Sequence, residues 1–436
     1  MYLTGTMRIN KDGHLEAGGV DALDLVRDFG TPLWVLDEEG LRRNCRSFRD
    51  AFAGLGDSLV IYASKTLCNL SVLKIVDQEG LGVDVVSGGE LYTALQAGVP
   101  AEKIFFHGNN KSREELSLAL EAGVGHIVAD NFYELELLDH ICGSMNRTQG
   151  ILLRITPGIE AHTHEYIRTG QIDSKFGFTL SDGQAMDGVK VALNSRNLDL
   201  VGLHCHIGSQ IFDMESFRDA SAMMMDFFAA VKQTTGHEFK ELNMGGGFGI
   251  YYYYGDQPCQ PEDWAEAVML TVQDKARQLN LQVPRVMVEP GRAIAGPAGI
   301  TLYTVGSSKE VSGVRRYVAV DGGMADNPRL ALYGAKYLAM LANKANEEPI
   351  NRVSIAGKCC ESGDMLIWDA QLPQVGSGDI LAIFATGAYN YSMSSNYNRL
   401  PRPAMVLVNN GSADLIVKRE TYTDLLRNDI LIERLK

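Results

Sequence analysis

The 436-residue sequence has no apolar run of about 18 residues, the length a membrane-crossing helix needs, so no span is expected. Positive charge is in short supply. Forty Lys and Arg face 54 Asp and Glu, a formal net charge of −14, which argues against nucleic acid or an anionic membrane as the main partner. Cysteine is sparse too. The seven (Cys45, Cys68, Cys142, Cys205, Cys259, Cys359 and Cys360) are odd in number and scattered, unlike a disulfide framework. No CxxC pair gives zinc spacing, and no HExxH is present, so no metal site is expected. The opening MYLTGTMRINKDGHLEAGG lacks the basic-then-apolar order of a secretory signal, and the expected location is the cytoplasm.

What is present is a rhythm. The apolar runs LVIYAS, GVDVVS, KIFFHG and HIVAD end at Lys65, Ser87, Gly108 and Asp130, at intervals of 22, 21 and 22 residues. Each is followed by a helix-like stretch, and those stretches end in Gly, as helix C-termini often do. Short buried strands alternating with helices imply a parallel sheet. Four more strands follow at GILLRIT (150–156), LVGLHCHIG (200–208), KELNMGGG (240–247) and RVMVEPG (285–291). Eight such units in about 250 residues predict a TIM-like (β/α)8 barrel. A doubly wound sheet is the rival, but the first strand ends in ASKT with no G-x-G-x-x-G loop. Beyond residue 300 ITLYTVGSSKEV, RYVAVDGG, RVSIAGKCC, DILAIFATGAY, AMVLVNN and DLIVKRE read as strands separated by turns, with one extra helix expected around 328–345. The expected organisation is a segment 1–40 joining a β domain, a barrel over 41–300, and a mostly β domain over 301–436. The polar, glycine-rich connection 157–199 reads equally as a lid or as an insertion.

Barrel enzymes work at the C-terminal ends of their strands. Those ends carry Lys65, Asp84, Ser87, His107, Arg154, His204, His206, Ser209, Gly245, Gly246, Gly247, Glu289, Gly291 and Arg292. A partly desolvated Lys65 suits a Schiff base, although a lysine just past a strand is often merely solvated. Gly245-Gly246-Gly247 after strand 7 allows backbone N–H groups close to a phosphate, or else forms a flexible turn. Glu289, if buried, needs a cationic partner: a protonated pyridine nitrogen, or Arg292 or Arg154. His204 and His206 lie on one side of strand 6, as cofactor-stacking groups, metal ligands or core histidines. Cys359 and Cys360, at the end of a strand, point to opposite faces, so one at most faces a given site. The Tyr-, Asn- and Ser-rich GAYNYSMSSNYN (387–398) reads as a pocket lining or as a turn region.

Taken in order, YASK at Lys65, DVVSGGE (84–90), HCHIGSQ (204–210), MGGGFG (244–249), EPGR (289–292), CESGD (360–364) and GAYNYSMSSNYN resemble the diaminopimelate decarboxylase family. That family belongs to the alanine-racemase-like, fold-type III pyridoxal-phosphate enzymes, and the resemblance runs from GTPLWVLD to PRPAMVLV. It implies that Lys65 holds pyridoxal 5'-phosphate, that His206 stacks on its ring, and that Glu289 meets the pyridine nitrogen. Ser209, Gly247, the Gly291–Arg292 backbone and the Tyr389 hydroxyl hold the phosphate, and Asp84, Gly245, Gly246 and Pro290 complete the cofactor set. Arg292, Arg329, Tyr333 and Tyr389 bind the substrate, and Glu361 reads its distal ammonium. Cys360 returns a proton to the α carbon. Cys360 and Glu361 come from a partner subunit, so a homodimer with shared active sites is implied. The sequence departs from the family at Thr66-Leu67-Cys68 after the lysine, at the doubled cysteine, and at NPRLALYGAKY after residue 326.

The implied reaction is decarboxylation of meso-2,6-diaminopimelate to L-lysine and CO2. Two arginines suit a second carboxylate at the substrate's far end. Decarboxylases of carboxynorspermidine or of other basic amino acids are the rival activities, and a catalytically inactive barrel protein is the rival of another class.

Overall fold

The computed structural model describes residues 3–158 and 174–436. The chain divides into two compact units, Arg42–Ile250 with Gln257–Ile294, and Met1–Leu41 with Tyr251–Asp256 and Ala295–Lys436. The first is a closed parallel barrel. Its strands are β1 (Ser58–Ala63), β2 (Gly82–Val85), β3 (Ile104–Phe106), β4 (His126–Ala129), β5 (Gln149–Thr156), β6 (Leu198–Cys205), β7 (Glu241–Asn243) and β8 (Arg285–Val288). Neighbours pair in chain order and β8 returns to β1, with Val286 opposite Ser58. Ile61, Phe105, Val128, Leu152 and Met287 point inward and fill the barrel, so it is a packed core and not a pore.

The strand ends are fixed by the turns that follow them. Asn69, Ser87, Ser112 and Asn131 each accept a backbone N–H from the first turn of the next helix. Such caps satisfy amides that a helix start would otherwise leave unpaired, at about 1 kcal/mol apiece. Ser87, a candidate site residue in sequence, is thus a helix cap. Residues 159–173, part of the candidate lid, lie outside the described residues. The rest of that connection is ordinary barrel: Phe178–Thr179 pairs with β5, and Gln184–Asn194 is a helix.

In the second unit, β9 (Gly299–Val311), β10 (Arg315–Val320), β12 (Asn351–Ala356) and β13 (Met365–Leu372) run along one side of a sheet, and β11 (Ala339–Leu341) and β14 (Ile380–Phe384) join it through β9. The early strand Leu33–Asp37 pairs antiparallel with β9 and parallel with β15 (Ala404–Asn409), which continues to β16 (Ser412–Val417). PLWVLD is therefore a central strand of this sheet, with Leu33 and Val35 in its core beside Ile300, Leu302 and Val406. The helix expected over 328–345 is only Arg329–Tyr333. Gly334 adopts φ +61, and the chain leaves to form β11. A left-handed glycine ends a helix at little cost, and that overrides the helix-favouring run behind it. β13 was not expected, and Cys359 and Cys360 lie in the bend between β12 and β13 rather than on a strand.

Candidate active site

Glu289 follows β8 and is buried, and its partners are histidines rather than the arginines considered in sequence. Oε1 lies 2.9 Å from His107 Nε2 and accepts from Asn243 Nδ2 at 2.7 Å, while Oε2 lies 3.3 Å from His204 Nε2. Burial works against the Glu289 charge, yet the two histidines outweigh it and hold the carboxyl well below its usual range. Burial likewise opposes a charge on His107, but Glu289 and Asp84 raise its pKa. Burial drops His204 to about 4. The carboxylate thus lies between an imidazole held toward its charged form, His107, and one held neutral, His204. His107, His204 and Glu289 place ligand atoms within 4.8 Å of one another, a cluster no spacing rule detects. Charge compensation of the buried Glu289 carboxylate by the two imidazoles accounts for this grouping.

Asp84, at the end of β2, is buried and its pKa is raised by that burial. Its Oδ1 has no hydrogen-bond partner among the described residues. Arg154 on β5 is buried, with Nε 3.9 Å from Asp130 Oδ1 and its guanidinium 4.2 Å from the Phe176 ring. Lys65 sits in a single turn, Ser64–Thr66, directly after β1. Ser64 and Thr66 are buried but Lys65 itself is exposed, so the barrel does not supply the desolvation expected of it. Ser64 Oγ donates to Glu90 at 3.1 Å and Thr66 Oγ1 to the Ala63 carbonyl at 2.8 Å. These bonds fix the turn and give the atypical Thr66 a local role.

His206, one residue past β6, accepts the Gly246 N–H on Nδ1 at 3.2 Å. Burial and the Lys65 charge hold its pKa well below the usual value, so the ring is neutral. Gly245 N–H donates to Asn243 Oδ1 at 2.9 Å. The Gly245 and Gly246 amides thus brace the loop from within. The glycines are still required. A Cβ on Gly246 would meet the Glu289 carbonyl at 2.1 Å, and one on Gly247 the Gly208 carbonyl at 2.4 Å. Arg292 Nη2 donates to Ser209 Oγ at 2.8 Å, which joins the loops after β6 and β8. Gln210, unnoticed in sequence, pins the first of these by bonding both the carbonyl and the N–H of Ile250, at 2.7 and 3.2 Å.

In the β unit Arg329 is buried among tyrosines. Nη1 donates to Tyr337 Oη at 2.7 Å, and the guanidinium lies 5.0 Å from the Tyr252 ring and 5.7 Å from that of Tyr389. Burial opposes the Arg329 charge, but Tyr252 and Tyr337 outweigh it and hold its pKa above the ordinary value. Sequence reasoning missed Tyr252 and Tyr337. Tyr389 has φ +71, a conformation costly for a non-glycine residue and common at functional sites. Tyr333 ends the short helix and is half-buried. Cys360 is exposed and Cys359 buried. Cys360 N–H donates to Asn398 Oδ1 at 2.7 Å, and exposed Glu361 accepts the Gly363 N–H at 3.2 Å. Buried Asp364 anchors this turn by accepting the N–H groups of Met324 and Cys359, each at 2.6 Å.

The donor set fits pyridoxal phosphate: a buried ionised carboxylate for a ring nitrogen, a neutral imidazole beside it, a glycine loop too tight for any side chain, and a lysine in the turn after β1, the strand adjoining β8. Residues 38–296 match the family of the pyridoxal-dependent decarboxylase, pyridoxal binding domain. A diaminopimelate decarboxylase of Bacillus subtilis (strain 168) is 54% identical over 431 residues, covering 99% of this chain and 98% of its own. One from Halalkalibacterium halodurans is 51% identical over 438 residues, with all of both chains covered. The crystal structure of diaminopimelate decarboxylase from M. jannaschii in co-complex with L-lysine superimposes with a TM-score of 0.94 at 38% identity, covering 100% of each chain. Among the described residues no helix is long and apolar enough to cross a membrane.

Proposed function

The chain belongs to the pyridoxal-dependent decarboxylase family, and we propose that Lys65 and Glu289 anchor and polarise its cofactor. The reaction is pyridoxal-phosphate-dependent decarboxylation of meso-2,6-diaminopimelate to L-lysine and CO2, the last step of lysine biosynthesis. The observation that carries the site assignment is a deeply buried Glu289 kept ionised by His107 and His204, on the strand beside the one that delivers Lys65.

When bound, pyridoxal phosphate supplies a conjugated ring that takes up the negative charge left on the α carbon as CO2 departs. Lys65 would hold it covalently through its amine. Glu289 would keep a proton on the ring nitrogen, and His206, fixed by Gly246, would lie against the ring. Gly247, Ser209 and the Pro290–Gly291–Arg292 backbone would meet the phosphate, with Asp84 as a further polar neighbour.

In the β unit, Arg329 and Tyr333 would bind the substrate's distal carboxylate, as would Arg292 of the barrel, Glu361 would meet the distal ammonium, and the Tyr389 hydroxyl would hold the phosphate and contact the substrate. A guanidinium suits this task through paired N–H donors. The Cys360 thiol would deliver the proton to the α carbon. For that, Cys360 and Glu361 would come from the partner subunit of a homodimer, and the protein would act in the cytoplasm.

CO2 release from meso-diaminopimelate, measured beside ornithine, arginine, lysine and carboxynorspermidine, tests the assignment. Preference for meso-diaminopimelate is expected. Equal or faster release from ornithine would overturn it.

A further inference from the structure

Asn243 closes β7, and no step above uses it. It is fully buried. Its Nδ2 donates to Glu289 Oε1 at 2.7 Å and its Oδ1 accepts the Gly245 N–H at 2.9 Å. One amide therefore ties the carboxylate after β8 to the glycine turn after β7. The backbone repeats the link, since Glu289 N–H donates to the Gly245 carbonyl at 2.8 Å. Gly245 holds φ +66, and the bond from Asn243 secures that turn.

Asn243 also breaks the symmetry of the carboxylate. Oε1 has two close neighbours, Asn243 at 2.7 Å and His107 at 2.9 Å, whereas Oε2 has His204 at 3.3 Å. A carboxylate turns easily about its last bond, and two groups on one oxygen fix its plane. A side-chain amide offers a donor and an acceptor together at this span, whatever the pH. Leucine of similar shape offers neither, and an ionised aspartate offers acceptors alone.

We propose that Asn243 is a positioning residue that presents Glu289 Oε2 to the cofactor ring nitrogen and sets the Gly245–Gly247 turn for the phosphate, so that the two ends of the cofactor are bound cooperatively. This rests on the reading of Lys65, Glu289 and the glycine loop given above.

The test compares the wild type with N243L and N243D. It uses equilibrium titration with pyridoxal phosphate and with pyridoxal, and the visible absorption of the bound cofactor against pH. N243L is expected to weaken both ligands, by roughly ten- to a hundredfold for pyridoxal phosphate, as loss of a hydrogen bond to a buried charge implies. N243D is expected to keep near-wild-type affinity and absorption at low pH, where its carboxylic acid donates to Glu289. As pH rises, two carboxylates cannot both ionise at that distance without penalty. Affinity and absorption then change together, in a titration the wild type lacks. Wild-type dissociation constants in N243L, or pH profiles of N243D that overlay the wild type, would overturn the proposal. If N243L does not fold, the N243D profile decides alone. A wild type that develops no visible band with pyridoxal phosphate overturns the reading of Lys65 instead, so the two failures are distinct.

Discussion

In the barrel unit Glu289 has His107, His204 and Asn243 within 3.3 Å, each on a different strand end. In the β unit Cys360 and Glu361 sit exposed on the bend between β12 and β13, held through backbone bonds to Asn398 and Gly363. The first set is preorganised. Its charges are buried and already compensated, so little reorganisation is needed when a polar ring arrives. The second set is held in position without being enclosed. Arg329 lies between these extremes, buried in a cage of tyrosine rings that favour its cation. The closed barrel encloses its polar cluster by bringing strand ends together, whereas the β unit leaves Cys360 and Glu361 exposed.

That difference orders the expected effects of substitution. Lys65→Ala should have the largest, abolishing both turnover and the visible absorbance of bound cofactor. A persisting band would move the anchor to another residue. Glu289→Gln comes next. It removes a charge from a water-excluded site, and kcat should fall roughly a hundred- to a thousandfold. The same change strips His107 of its main counter-charge, so NMR titration of that imidazole should find its pKa lower than in the wild type. An unmoved His107 would contradict the compensation described here. Cys360→Ala should leave cofactor occupancy intact and lower kcat about a hundredfold, the scale of lost general-acid help. Wild-type turnover in that variant would show that another group donates the proton. Arg329→Ala should act on substrate alone, raising KM roughly ten- to a hundredfold. A matching loss of cofactor affinity would blur the contrast between the units.

The smallest effect concerns stability, and its sign differs between the units. His204 falls from 6.5 to about 4 through burial, so the stability it contributes is present above pH 6.5 and lost as pH drops toward 4. Asp326, buried in the β unit beside Tyr303, rises from 3.8 to about 7. Its contribution is complete below pH 3.8 and lost as pH rises through 7. Thermal melting of the apoprotein should show the acid-side slope reduced by His204→Gln and the neutral-side slope reduced by Asp326→Asn, each by a few degrees. Identical slopes in all three proteins would show that other groups control both.

The barrel was legible because its strands are short apolar runs alternating with helices, the first of them at nearly constant spacing, and the closed sheet keeps that order. The β unit was less so. β13 was missed, and the run behind Arg329 reads as helix until Gly334 takes a left-handed conformation. Ser87 stood among the polar residues at strand ends and caps the next helix. His107 was visible as a strand-end residue, but its pairing with Glu289 was not, because the two are joined only by barrel closure. Asn243, Gln210, Tyr252 and Tyr337 carried no signal, since an amide or a phenol means little until its partners are placed.

Sequence alone determined the alternation of strands and helices, the residues that end them, and through ordered motifs the family and its reaction. Burial periodicity and turn chemistry are local, so they can be read along the chain. Only the tertiary structure decided which of those residues are charged and which are held. Glu289 is held ionised, His107 is pushed toward its protonated form and His204 is held neutral because strands distant in sequence bring them within 3.3 Å in a buried site.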